Sequence, residues 1–205
     1  MIGIVDYGAG NLHSVANALD YLDLKSEIVK DPNRLKSMER IVLPGVGAFG
    51  SCMQNLSTSG FVQSLQECVF DLGKPFFGIC VGMQLLATEG EEFGLWPGLN
   101  WIGGKVEALK TQDQFKVPHV GWNEANFDPA CPLFDGFKSS NATFYFVHSY
   151  HFNVVDRKCI ASTTNHGTEF VSAVWKDNIF ASQFHPEKSQ RNGLKLLENF
   201  SKWKP

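Results

Sequence analysis

Hydrophobic and polar positions follow two regimes along the chain. In the first half, short apolar runs alternate with segments whose apolar residues recur every three to four positions. The run at 2–6 (IGIVD) predicts a buried strand. In 11–22 (NLHSVANALDYL), Leu12, Val15, Ala16, Leu19 and Leu22 share one helical face, and Asn11 is placed to cap it. Runs at 26–30 (SEIVK), 40–44 (RIVLP) and 74–80 (KPFFGIC) predict three more strands. Residues 51–71 carry helical spacing broken near Gly60, and 82–90 (GMQLLATEG) predict the next helix. Strands that are apolar throughout, alternating with helices, imply a mostly parallel central sheet with helices on both faces.

From about residue 100 to 182 the pattern changes to short β-type runs separated by turn residues: GKVEAL, ATFYFVHSYHF, CIASTT, SAVWK and IFASQF. These read as antiparallel strands added to the sheet in the C-terminal half. The chain closes on SQRNGLKLLENFSKW, where Leu196, Leu197, Phe200 and Trp203 line one face of a terminal helix. No repeat, linker or low-complexity segment interrupts it, so one α/β domain over 1–205 is expected.

Bulk properties narrow the classes of function. A net charge of −3 offers no electrostatic attraction to nucleic acid or to an anionic membrane. No apolar run approaches the ~18 residues that span a bilayer, and the first residues lack the pattern of a signal peptide. Five scattered cysteines (Cys52, Cys68, Cys80, Cys131, Cys159) without a CxxC argue against a disulfide framework or a zinc cage. A reducing, cytoplasmic location is the simpler expectation. His148 and His151 in VHSYH suggest no third ligand nearby, so neither metal nor cofactor is expected.

The chemistry centres on FGICVGMQLL at 77–86. G-x-C-x-G between a strand and a helix is the cysteine form of a nucleophile elbow. Gly78 and Gly82 remove side chains from a tight turn, Cys80 projects from it at a helix N-terminus that favours the thiolate, and the Val81 N–H points at the same space. The alternative is a buried cysteine in a βα turn. A base is supplied by FASQFHPE. His185 ends an apolar strand, Pro186 forces a turn, and Glu187 is spaced to reach back and orient the imidazole. His13, His119, His148, His151 and His166 compete, but His185 alone joins a strand end to an adjacent carboxylate. LPGVGAFG at 43–50 offers glycines whose freed N–H groups complete an oxyanion hole. GAGNLH fails as a dinucleotide fingerprint because His13 stands where Gly or Ala is required. The aromatic run Phe144, Tyr145, Phe146, Tyr150, Phe152 reads as strand core.

Taken together, these stretches resemble the class I (triad) glutamine amidotransferases. DYGAGNL, LPGVGAFG, VPHVGWN, FYFVHSYH and QFHPEKS are similar, in order and spacing, to the branch that forms the glutaminase subunits of imidazole glycerol phosphate synthase. The resemblance implies hydrolysis of L-glutamine to glutamate and ammonia through a γ-glutamyl thioester on Cys80, with His185 and Glu187 completing the triad. It implies an oxyanion hole from Val81 and the strand Gly45, Val46, Gly47, and substrate contacts from Gly82, Gln84, Ser149 and Tyr150. It implies a heterodimer with a (β/α)8-barrel cyclase subunit, which receives the ammonia and forms imidazole glycerol phosphate and an aminoimidazole carboxamide ribotide in histidine biosynthesis. His119, Trp122, Asn123 and Lys188 match positions near that interface. Val81 and Val120 depart from the commoner Leu and Met, which leaves room for a paralogue feeding surface-sugar amidination. A stand-alone cysteine hydrolase and a non-catalytic binding subunit of the same fold stay open beside it.

Overall fold

The computed structural model describes residues 1–112 and 114–205. The first half builds β1 (Ile2–Val5), α1 (Leu12–Tyr21), β2 (Ser26–Val29), β3 (Arg40–Gly45), α2 (Phe49–Thr58), α3 (Phe61–Gln66), β4 (Phe76–Cys80) and α4 (Val81–Gln84). The second half adds β5 (Glu89–Gly90), β6 (Trp96–Pro97), β7 (Gly104–Ala108), β8 (His119–Phe127), β9 (Asn141–His148) and β10 (Tyr150–Val154). It ends with β11 (Ile160–Asn165), β12 (Glu169–Lys176), β13 (Ile179–Ser182) and α5 (Gln190–Lys202). Among the described residues no helix is long and apolar enough to cross a membrane.

The main sheet has nine strands in the order β2-β1-β3-β4-β13-β12-β11-β8-β9. Its first five members pair in parallel, and from β12 onward every pairing is antiparallel. The continuously apolar runs explain the parallel part: β1, β4 and β13 are buried along their whole length, whereas the edge strand β2 is only partly so. From β1 the chain steps one way through α1 to β2. From β3 it steps the other way through α2 and α3 to β4. Right-handed crossovers in opposite directions place α1 on one face and α2–α3 on the other, with the reversal between β1 and β3. Crevices at the carboxyl ends of strands beside such a reversal are where open α/β sheets bind ligands.

Local signals hold where expected. The Asn11 side chain accepts from Ser14 N at 3.3 Å and caps α1. Gly60, at φ +78°, separates α2 from α3. Leu196, Leu197 and Phe200 of α5 are fully buried, and Phe200 meets Phe77 of β4 with ring centroids 5.4 Å apart.

Four expectations are corrected. The helix expected over 82–90 is a single turn, α4, because the 98–102 loop captures its carbonyls. Leu99 N donates to Leu85 O at 2.8 Å, Trp101 N to Leu86 O at 2.9 Å and Asn100 N to Ala87 O at 2.9 Å. The run 142–152 is two strands that part at Ser149. GKVEAL does not join the main sheet; β7 lies in a second sheet, β10-β7-β5-β6, which needs the partner strand that break supplies. Finally, IFASQF is antiparallel only to β12 and parallel to β4, so it closes the parallel half. The nine-residue strand β8 was not anticipated, since Pro118 and Gly121 make its sequence resemble a loop.

Candidate active site

Cys80 ends β4 with φ +55° and ψ −110°, in the left-handed half of conformational space that non-glycine residues rarely occupy. The neighbours explain how the strain is held. Gly45 of β3 is in register with Cys80, and the chain turns so tightly that any side chain at the flanking positions collides. A Cβ at Gly78 would stand 2.6 Å from the Gly82 carbonyl oxygen, and one at Gly82 would strike the carbonyl oxygen of Leu43. Backbone is on the receiving end in both cases, so neither clash relaxes by a rotamer change. Gly82→Ala is therefore expected to lower stability by about 3 kcal/mol or more, read as the shift of the denaturant midpoint, whereas Gly73→Ala, with open space around it, serves as a control limited to its φ strain.

The helix after the elbow is only four residues long. The extended helix dipole expected at Cys80 is accordingly absent, and the polar groups that meet the sulfur come from elsewhere in the chain. Chief among these is His185. Ser182 of β13 pairs with Ile79 of β4, so the chain beyond Ser182 runs alongside the elbow. His185 N donates to Tyr145 O at 2.9 Å, and Ser189 Oγ donates to His185 O at 2.6 Å. Pro186 opens a 3-10 turn over Pro186–Lys188. That turn folds the Glu187 carboxylate back, so that Oε1 lies 2.8 Å from His185 Nδ1. Both side chains are 2% exposed. The ring's other nitrogen, Nε2, is buried, has no oxygen or nitrogen partner, and is turned toward the Cys80 sulfur. Burial alone would lower the proton affinity of His185. The charge of Cys80 and its hydrogen bond outweigh it, Glu187 adds to them, and the ring's pKa is raised to about 10.

These groups line a cavity of about 410 Å³ whose wall also includes Val46, Gly47, Val81, Gln84, Ser149, Tyr150 and Lys188. Of the other residues singled out in the sequence, Gly45 lies behind the wall within β3 and Gly82 serves the turn. His119 is 3% exposed and cannot itself touch a partner, while Trp122 is 48% exposed on β8. Asn123 bridges the two environments: its Nδ2 is 3.2 Å from His119 Nε2 and donates to Asn165 O at 2.9 Å.

Sequence reasoning missed His148 and Glu92, both in the cavity wall. His148 is no rival base, because Nδ1 donates to Tyr150 O and Nε2 is 2.9 Å from His119 Nδ1. Burial holds both rings neutral, His148 at about 3 and His119 at about 4. Glu92 carries no local signal in the sequence; its Oε2 accepts from Phe49 N at 2.7 Å, which turns the carboxylate inward. Of the VHSYH pair, His151 lies 3.8 Å from Glu107 Oε1, in a different environment from His148.

The family model of the class-I glutamine amidotransferases matches residues 3–203. The chain is 47% identical to the imidazole glycerol phosphate synthase subunit HisH of Geobacter sulfurreducens, over 99% of each chain. It is 48% identical to the subunit of the same name from Methanocaldococcus jannaschii, over 98% of each. In three dimensions it is similar to PurLQS from Thermotoga maritima (TM-score 0.75, 16% identity, covering 98% of this chain and 97% of that one). It is also similar to a glutamine amidotransferase from the same organism (TM-score 0.65, 17% identity, covering 98% and 82%).

Proposed function

We propose, from the premise that the chain belongs to the class-I glutamine amidotransferases, that it is a glutaminase subunit that makes ammonia for imidazole glycerol phosphate synthesis. The observation that carries the chemistry is the left-handed elbow at Cys80 beside the buried His185–Glu187 pair. The sulfur attacks the side-chain carbonyl carbon of L-glutamine. The oxyanion forms against Val81 N–H, which as the first residue of α4 has no intrahelical partner, and against the Gly45–Gly47 strand. His185 gives its Nε2 proton to the leaving nitrogen, ammonia departs, and a γ-glutamyl thioester remains. The ring then takes a proton from water, which attacks the thioester and releases glutamate. Glu187 holds Nδ1–H and so keeps Nε2 as the nitrogen that exchanges protons.

The amino-acid end of the substrate needs an anion and donors. Glu92 is the acidic side chain of the cavity wall and suits the α-ammonium. The turn at Ser149–Tyr150 suits the α-carboxylate, and Gln84 fixes that turn by donating to Tyr150 O at 3.1 Å.

Free ammonia is protonated in water and ceases to be a nucleophile, so release is useful only when an acceptor is at hand. The partner is a (β/α)8-barrel cyclase, and the face that meets it includes Trp122 and Lys188, whose Nζ stands 6.0 Å over the Tyr145 ring. The test is glutamine turnover by the full chain with and without the cyclase and its ribotide substrate. A rise of about 10²-fold or more is expected, equal to one oxyanion donor brought into place. Brisk turnover by the isolated chain, unaltered by any cyclase, would mean a stand-alone hydrolase.

A further inference from the structure

Gln183 is fully buried next to the nucleophile, and no step of the chemistry above uses it. We propose that Gln183 is a positioning residue whose side-chain amide donates a hydrogen bond to the Cys80 sulfur and stabilises it as the thiolate. Its Nε2 lies 3.6 Å from Sγ, a normal N–H···S separation, while the Val147 carbonyl, which can accept from the neutral thiol, is farther away at 4.0 Å.

The direction of the amide is dictated by its neighbours. Tyr150 O can only accept. It receives Gln84 Nε2 at 3.1 Å, which sets which end of Gln84 faces inward. Gln84 Nε2 also donates to Gln183 Oε1 at 3.0 Å, which leaves the nitrogen of Gln183 turned toward the sulfur. His148 Nδ1 donates to the same Tyr150 carbonyl at 2.9 Å and ties the chain down at its far end. Polarity therefore runs one way, from a single carbonyl to the nucleophile. The strand register places Gln183 there: Ser182 pairs with Ile79, and Gln183 N donates to Ser172 O at 2.9 Å. A buried amide is unfavourable unless both of its ends are bonded. Here the sulfur is what satisfies the nitrogen, and a donor aimed at an anion is stronger than one aimed at a neutral group.

This inference rests on Cys80 being the nucleophile, and the test reads the sulfur itself. The rate of Cys80 alkylation by iodoacetamide is followed across pH by mass spectrometry of its peptide, in the full unsubstituted chain, in Gln183→Met and in Gln183→Glu. Other titratable groups around the sulfur are common to all three chains: His185 beyond β13, Tyr7 beyond β1, Cys52 on α2, His148 on β9, and Glu92 and Lys188 in the cavity wall. Gln183→Met, close in volume, is expected to slow alkylation about tenfold on the acid limb of the profile, with the gap closing as pH rises. Gln183→Glu is expected to slow it at least as much, by setting a carboxylate against the thiolate. Superimposable curves, or one constant factor at every pH, would overturn the proposal. If neither variant folds, the Gln183 side-chain amide protons of the unsubstituted protein provide the measurement: one resonance is expected to move upfield in Cys80→Ala, and an unmoved pair overturns the idea. A Gln183 effect on alkylation without any glutamine turnover in the presence of a cyclase would sink the glutaminase reading and support this one.

Discussion

Cys80→Ala is expected to lower cyclase-stimulated glutamine turnover by about 10⁴-fold or more, to the level at which the oxyanion hole and substrate binding act without a nucleophile. The loss lies in the chemical step. The cavity wall that would bind glutamine, from Glu92 to the Ser149–Tyr150 turn, is untouched, so the substrate should still protect the variant against thermal unfolding. The substitution leaves position 80 at φ +55°, a conformation no easier for alanine than for cysteine, so stability should change little. Turnover within tenfold of the unsubstituted chain would exclude Cys80 as the attacking atom. The measurement is steady-state glutamate release with the partner saturating.

Glu187→Gln is expected to reduce kcat by about 10⁴-fold while leaving the substrate KM within a few fold, by analogy with the amide substitution of a triad carboxylate. The reason is a tautomer. Oε1 accepts from Nδ1 at 2.8 Å in a site where both side chains are 2% exposed. A glutamine amide there can donate to Nδ1, which moves the ring proton to Nε2 and removes the base from the side facing sulfur. The same variant reports on pH. His185 holds its proton more tightly in the folded chain, to about 10, than at its ordinary 6.5. Over that interval the folded chain keeps a proton that the unfolded chain has lost, so this contribution to stability is complete below pH 6.5 and disappears as pH rises toward 10. Removing Glu187 takes away part of the support for the imidazolium. The unsubstituted chain should therefore lose more stability than Glu187→Gln between pH 6.5 and 10. Denaturant titrations at both ends of the interval check the difference, and equal losses would mean that Glu187 does not hold the charged ring.

Most of the parallel half of the fold, and the grouping of Cys80 with His185 and Glu187, were legible in the sequence because each is written in short-range terms. Uninterrupted apolar runs mark β1, β3 and β4, the glycines around Cys80 mark a turn that no side chain fits, and Pro186 marks the bend that returns Glu187 to His185. What escaped was set by partners distant in the chain. The helix after the elbow ends early because Leu99, Asn100 and Trp101 compete for its carbonyls. Glu92 is turned inward by one backbone amide, that of Phe49, 43 positions earlier. His148 enters the cavity only because the aromatic run 142–152 divides between two sheets at Ser149. Gln183 stands within QFHPEKS, yet its place beside the sulfur follows from a register with β4 that no local pattern encodes.

The place of β13, inserted between β4 and β12 although it is the last strand of the chain, has a bearing on biosynthesis. Cys80 leaves the ribosome a hundred residues ahead of His185, and the sheet has a gap at its centre until the final strand arrives. A growing or truncated chain thus carries a sulfur with no proton acceptor and cannot waste cellular glutamine. Competence comes with the same event that completes the core, so recovery of thiol reactivity during refolding would time the closing of that gap.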